Sequence, residues 1–235
     1  MVRISDRLRT VAHMCDKGAV VADIGTDHGY LPIYLVQEGI APSAIAMDLR
    51  KGPLDKAKKH ISDNCLEDKI QTRLSDGMEK LSKDEADIIT ICGMGGRLIS
   101  DILTKGIDII SQNTTLIVSP QSEVGDFRRF LVSQGFNIED EKMLKEDGKY
   151  YFIIRCRRSG TEVYSGYSEA QYQYGWKLLE KKDTTLYEYL VKEKAVNEGI
   201  SNSIKKDEDN PVVKLRLQQL SDKINIIINA LSYYD

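Results

Sequence analysis

The chain has 235 residues, 41% hydrophobic and 29% charged, with a formal net charge of −3; this fits one large globular domain, or one domain with an appendage. No apolar run approaches the ~20 residues of a membrane helix, and Met1-Val-Arg-Ile-Ser-Asp-Arg7 lacks the apolar centre of a signal peptide. An isoelectric point near 5.8 argues mildly against a dedicated nucleic-acid binder, which is usually basic.

The predicted elements alternate. Ser5 as a cap, with Leu8, Val11, Ala12 and Cys15 on one face, predicts a short amphipathic helix. Residues 20–24 read as a buried strand that runs into Asp23, Gly25, Asp27 and Gly29, and residues 30–38 as the following helix, closed by Gly39. Residues 44–47 form a second strand ending at Asp48, and 53–64 a helix with Pro53 near its start. Residues 70–74 form a third strand before Ser75-Asp76-Gly77, and 86–92 a fourth before Gly93-Met94-Gly95-Gly96. A helix begins over 98–103 and closes at Gly106. Residues 115–118 form a fifth strand stopped by Ser119-Pro120, and 124–133 a helix capped by Gly135. Two strand-like runs, 136–144 and 150–157, then follow with only a turn between them. The expected fold is α/β: a Rossmann-like, doubly wound, mostly parallel seven-stranded sheet with a terminal antiparallel hairpin.

Composition shifts near Ser159, which suggests a domain over 1–159 and an appendage over 160–235. Residues 168–197 look helical, 197–210 look like a connecting loop, and Asn210-Pro211 is a helix start. Val213, Leu217, Leu220, Ile224, Ile227 and Leu231 alternate steps of four and three, the seam of a coiled coil or helical hairpin. Trp176, Leu179, Leu186 and Leu190 give the earlier helix a weaker matching stripe. The alternative is that these helices pack back on the sheet.

In an open parallel sheet ligands bind beyond the carboxyl ends of the strands, and five such ends here are polar or glycine-rich. Helix N-termini attract anions, but Asp23 and Asp27 in the first turn would repel a pyrophosphate. A cofactor with hydroxyls, an amine and a positive centre suits them better, and S-adenosylmethionine has all three. Asp48, ~20 residues beyond that turn, has the spacing of a carboxylate that accepts from ribose hydroxyls. Asp76 is read as the acceptor of an adenine amino group, with Gly77 and Met78 against the ring, or as a plain turn aspartate. The glycines at 93, 95 and 96 either permit a tight turn or let backbone approach a flat base. No Asp/Asn-Pro-Pro-Tyr or Phe sequence occurs, which disfavours methylation of an exocyclic amino group. Cys15, Cys65, Cys92 and Cys156 form no C-x-x-C pair and read as buried thiols of a cytoplasmic protein. The three histidines, His13, His28 and His60, are not paired with cysteines at ligand spacing, so no metal site is expected.

At these residues the chain resembles the class I S-adenosylmethionine-dependent methyltransferases. The stretches Asp23-Ile-Gly-Thr-Asp-His-Gly-Tyr-Leu-Pro32, Ser75-Asp-Gly77, Gly93-Met-Gly-Gly96 and Ser119-Pro-Gln121 are similar to the TrmK family of bacterial transfer-RNA methyltransferases, and the helical tail is similar to that family's C-terminal coiled coil. The usual Gly-x-Gly-x-Gly is here Gly25-Thr-Asp27-His-Gly29. The resemblance implies methylation of N1 of adenine 22 in tRNA, with S-adenosyl-L-homocysteine as product, tRNA as partner, and no DNA or membrane partner. It implies cofactor contacts at Arg7, Asp23, Gly25, Asp27, Gly29, Asp48, Asp76, Gly77 and Gly93. The adenine would meet Met94, Gly95, Gly96, Pro120 and Gln121. Asp27 would stabilise the cationic methylated ring; Tyr30 would stack on the base or, alternatively, pack its helix. Arg7 and Arg9 would meet the cofactor carboxylate or RNA phosphate. Lys177, Lys181, Lys182 and Lys192 would grip tRNA from the tail. The rival readings are a small-molecule or protein methyltransferase, an NAD-dependent dehydrogenase using Gly25, Gly29 and Asp48, and a scaffold that dimerises through its tail.

Overall fold

The four central parallel strands are built from apolar runs that leave little on either face for water. A computed structural model describes residues 2–159, 161, 163–207 and 209–235. Strands β1 (Val21–Ile24), β2 (Ala44–Asp48), β4 (Ile88–Cys92) and β5 (Thr115–Ser119) are buried throughout, except that Cys92 is half-buried. β3 (Ile70–Leu74) is the more exposed edge. Long strands β6 (Phe136–Glu146) and β7 (Lys149–Arg158) form the terminal hairpin, and the seven-stranded order is β3-β2-β1-β4-β5-β7-β6. All pairings are parallel except β5 with β7 and β6 with β7. Burial on both faces is what a parallel sheet covered by helices requires.

One face is covered by α1 (Asp6–His13), α2 (Tyr30–Gln37) and α3 (Lys51–Asp63). There Val11, Ala12, Leu31 and Leu35 pack on Val21, Ile88, Ile117 and Ile153. Strand alternation turns Ile89, Ile91, Leu116 and Val118 to the opposite face. α4 (Gly96–Lys105) and α5 (Val124–Ser133) pack together there, burying Ile99, Leu103, Phe127 and Leu131. α4 starts two residues before Leu98, where the sequence places it. Gly96 is buried against Ser122 and Glu123 carbonyls and the Phe127 side chain, at distances where a Cβ would collide. The glycine pair thus serves helix–helix approach as well as a turn.

Arg128 and Glu141 form a wholly buried ion pair, Nε to Oε1 2.7 Å, and the guanidinium lies 5.1 Å from the Phe152 ring centroid. Removing one partner of such a pair leaves a charge in low dielectric. Glu141→Ala is therefore expected to destabilise the protein by about 3–5 kcal/mol, read as a lowered urea midpoint at unchanged slope; a midpoint within error of wild type would count against it.

Two compact units divide the chain, Met1–Ser165 and Gly166–Asp235. Residue 160, where the sequence places the start of the appendage, lies outside the described residues. The second unit holds α6 (Glu169–Tyr174), α7 (Trp176–Glu180), α8 (Thr184–Ile204) and α9 (Pro211–Leu231). The single helix expected over 168–197 is thus three. Gly175, at φ 92°, ends α6, and the Asp183 carboxylate caps α8 by accepting from Leu186 N–H at 2.9 Å. The expected loop from 197 begins later, because α8 continues to Ile204. Asn197 is buried, and its amide donates to the Glu193 carbonyl at 2.7 Å, which satisfies it inside the helix. α8 and α9 run antiparallel: Lys223 pairs with Glu193 at 2.8 Å, and Tyr234 donates to the Asp183 carbonyl at 2.8 Å. Leu220 and Ile227 of the expected seam are buried, as are Trp176, Leu179, Leu186 and Leu190.

Of the four thiols expected to be buried, Cys156 is; Cys15 and Cys92 are half-buried, and Cys65 is exposed, at φ 53° just past α3. No helix among the described residues is long and apolar enough to cross a membrane.

Candidate active site

Strand order reverses between β1 and β4: the chain leaves β1 toward β2 on one side and returns at β4 on the other. A cleft opens beyond the carboxyl ends of strands at such a switch point. Here it has a volume of about 380 Å³, within the ~300–1,000 Å³ of small-molecule sites. Its lining includes Arg7, Asp23, Gly25, Asp27, Tyr30, Asp48, Gly93, Met94 and Gln121. All nine come from the sequence reading, though they span more than a hundred residues of chain.

Asp23 lies buried at the end of β1 and accepts a hydrogen bond from Thr90 Oγ1, its neighbour on β4, at 2.8 Å. Burial pushes its carboxyl above the ordinary carboxylate range; the hydrogen bond from Thr90 opposes that shift, and the facing Asp27 and Asp48 add to it. Gly25, at φ 74°, makes the turn, and its N–H and that of Thr26 both reach the Met47 carbonyl at 2.8 Å. The Met94 methyl occupies the place where a side chain at Gly25 would sit, so the turn and the loop after β4 touch directly.

Asp48 is buried at the end of β2. Its Oδ1 accepts the Arg50 N–H at 2.7 Å, with Arg50 Nε 3.8 Å away. Both of these contacts of the Asp48 carboxylate among the described residues are through Oδ1. Arg7 arrives from α1, which is tied at both ends. Glu146 accepts from the Asp6 and Arg7 N–H groups, and Arg155 donates to the Met14 carbonyl at 2.6 Å and pairs with Asp16 at 2.7 Å. The Arg7 guanidinium lies 5.2 Å from the Tyr151 ring centroid, and its buried Nη1 has no hydrogen-bond partner among the described residues. A buried guanidinium nitrogen without an acceptor is costly, and an anionic oxygen in the cleft would satisfy it. At the rim, the Asp27 side chain is 84% exposed, with His28 Nε2 3.2 Å from its Oδ1.

Other expected site residues lie outside this cleft. Gly29, at φ 73°, starts α2 and packs against Ala57 of α3. Asp76 pairs with Lys105 at 3.4 Å and, with Gly77, lines a separate small cavity beside Met78 and Ile102. Gly95, Gly96 and Pro120 do not line the cleft; Gly95 meets the Ser122 hydroxyl. Leu8, Thr26, Leu31, Arg50, Pro53 and Cys92 line it without having been anticipated. Burial pushes the Cys92 thiol far up, so it is neutral and not a nucleophile. Leu49 and Leu74 are large apolar residues exposed at neighbouring strand ends, beside Asp48. An apolar residue directly after a strand-ending carboxylate was the available signal for Leu49. Among the described residues no group of three His, Cys, Asp or Glu is placed to hold a metal.

The cleft thus offers an acceptor for hydroxyls at Asp48, a buried carboxylate for a cationic centre at Asp23 and a cation for a carboxylate at Arg7. A family described as Methyltransferase domain matches residues 4–154. The chain is 34% identical to the tRNA (adenine(22)-N(1))-methyltransferase of Bacillus subtilis over 234 residues, 99% of this chain and 98% of that one. It is similar to the crystal structure of the B. subtilis M1A22 tRNA methyltransferase TrmK, with TM-score 0.86, 34% identity, and coverage of 98% of this chain and all of that one. Mycoplasma capricolum TrmK in complex with S-adenosyl-homocysteine matches with TM-score 0.82, 30% identity and 98% of each chain covered.

Proposed function

The chain belongs to the family of tRNA (adenine(22)-N1)-methyltransferases, and we propose that it transfers a methyl group from S-adenosylmethionine to N1 of adenine 22 in tRNA, in the cytoplasm. The observation that carries this reading is the extent of the match: it runs through both units, 99% of this chain, so the C-terminal unit is shared along with the unit that holds the cleft.

S-adenosylmethionine, when bound, supplies an electrophilic methyl on a sulfonium. Asp48 would accept from the ribose hydroxyls, the Arg7 Nη1 that lacks a partner among the described residues would bind the carboxylate, and Asp23 would offset the positive charge. Gly93, where the nearest side-chain atoms stand 3.8 Å or more from the place of a Cβ, leaves room for the cofactor against the backbone. Adenine N1 carries a free lone pair at neutral pH, so no residue is needed as a base. The protein instead aligns the two reactants, a contribution of up to ~7–11 kcal/mol, and Asp27 at the rim stabilises the charge that grows on the ring. Met94 and Gln121 line the side of the cleft nearest the loop after β4 and are assigned to the adenine, which must leave its stack to enter. The unit beyond about residue 160 grips the tRNA body, and the catalytic unit precedes it.

Incubating the full chain with labelled S-adenosylmethionine and unmodified tRNA, then mapping the modified nucleoside, tests the reading. Label at N1 of adenine 22 is expected; label elsewhere, or only in metabolite extracts, overturns it. Because the Asp23 carboxyl takes up a proton above the usual carboxylate range, cofactor affinity is expected to fall as pH drops through that raised value. Calorimetric titration should show this loss in the wild type. Asp23→Asn should bind more weakly and without that pH dependence; an unchanged pH slope removes Asp23 from the site.

A further inference from the structure

Two histidines of the cleft region have no part in the proposed mechanism. His28, at φ 61°, is a non-glycine residue in the left-handed region, a conformation that persists only when its surroundings hold it. Its ring packs in parallel with Tyr30 (centroids 5.5 Å, interplanar angle 9°) and lies 5.6 Å from His60; Tyr30 and His60 stack at 5.3 Å. The backbone is held as well. His60 Nδ1 lies 2.9 Å from the His28 carbonyl oxygen. A carbonyl can only accept, so that nitrogen carries the proton. Helix α3 is thereby bonded to the turn after β1. In return the His28 Nε2 lies 3.2 Å from Asp27 Oδ1, an ion-pair contact that is the side-chain contact of Asp27 seen among the described residues.

We propose that His28 is a positioning residue that holds the Asp27 carboxylate toward the target base, and that His60 on α3 supports it. The inference rests on the proposed function, because it assigns His28 a role in that reaction. An 84% exposed aspartate would otherwise sample several rotamers. Fixing one of them before the base arrives removes that ordering from the chemical step. His28 touches neither reactant and acts through Asp27.

The test uses the full-length protein and unmodified tRNA, with kcat, KM for tRNA and cofactor Kd measured separately. His28→Ala is expected to lower kcat by about ten- to a hundredfold and to leave cofactor Kd unchanged, which also reports that the variant folds. His28→Gln places an amide donor near the position of Nε2 and is expected to recover most of the rate. His60→Ala is expected to shift kcat in the same direction by less, and His60→Asn, which keeps a donor at the Nδ1 position, to restore it. In an Asp27→Ala background, His28→Ala should cost nothing further, because the two act as one unit. Full kcat in His28→Ala, or losses that multiply in the double variant, overturns the inference while leaving methylation by the wild type intact. A wild-type chain that methylates no tRNA overturns the parent reading instead.

Discussion

Asp27→Ala is expected to lower single-turnover methyl transfer by about a hundredfold and to change cofactor affinity by less than twofold. Methylation at N1 makes the adenine ring cationic, so a carboxylate nearby gains energy only as the bond forms. Two unit charges 4 Å apart attract by about 1 kcal/mol in bulk water and by about 4 kcal/mol at an effective dielectric of 20. A hundredfold effect, about 2.7 kcal/mol, falls between these limits. That is where a rim carboxylate belongs when it is exposed in the free protein and covered once RNA docks. Asp23 and Asp48, buried deeper in the cleft and assigned to the cofactor in the proposed reading, are not placed to compensate. Rapid-quench measurement with saturating cofactor separates the outcomes. An unchanged rate removes Asp27 from the chemistry; an unchanged rate with weakened cofactor binding moves it to the cofactor's side.

Ending the chain at Ser165, the last residue of the first compact unit, is expected to weaken tRNA binding by about a hundredfold or more, because two linked binding surfaces lose their combined avidity. Cofactor binding should persist, since every residue lining the cleft lies before that point. The tail has nearly balanced charge, with 11 basic and 12 acidic side chains over residues 158–235, so the effect requires an uneven distribution. Several lysines are already engaged: Lys177 with Glu180 at 3.3 Å, Lys194 with Glu198 at 3.0 Å, and Lys182 with the Asp235 carbonyl. Phosphate contacts release counterions. The full chain should therefore lose affinity more steeply with salt than the truncated one. Equal affinity and equal salt slope would refute a tRNA-gripping tail.

Much of the fold was legible because local physics carries it. A strand buried on both faces must be largely apolar, which marked residues 44–47, 86–92 and 115–118. Two long strand-like runs with Asp147-Gly148 between them could only be a hairpin, and Ser5 caps α1 as its residue type suggested. The errors share a cause. Gly95 and Gly96 looked like turn residues, but their missing side chains also admit Ser122 and Phe127, which is invisible without α5. Asn197 looked like the start of a loop, yet its amide is satisfied by Glu193 within α8.

The sequence by itself determined the strand–helix alternation, the acidic and glycine-rich strand ends and the two-part organisation, because each is set by periodicity, turn chemistry or composition within short windows. Only the tertiary structure decided which of those strand ends meet around one cleft. It brought Arg7 over that cleft with a buried nitrogen lacking an acceptor, and it set His60 of α3 under the turn that carries Asp27. Those placements depend on contacts between segments distant in the chain, fixed by the order of strands in the sheet and the packing of helices over it, which no local pattern encodes.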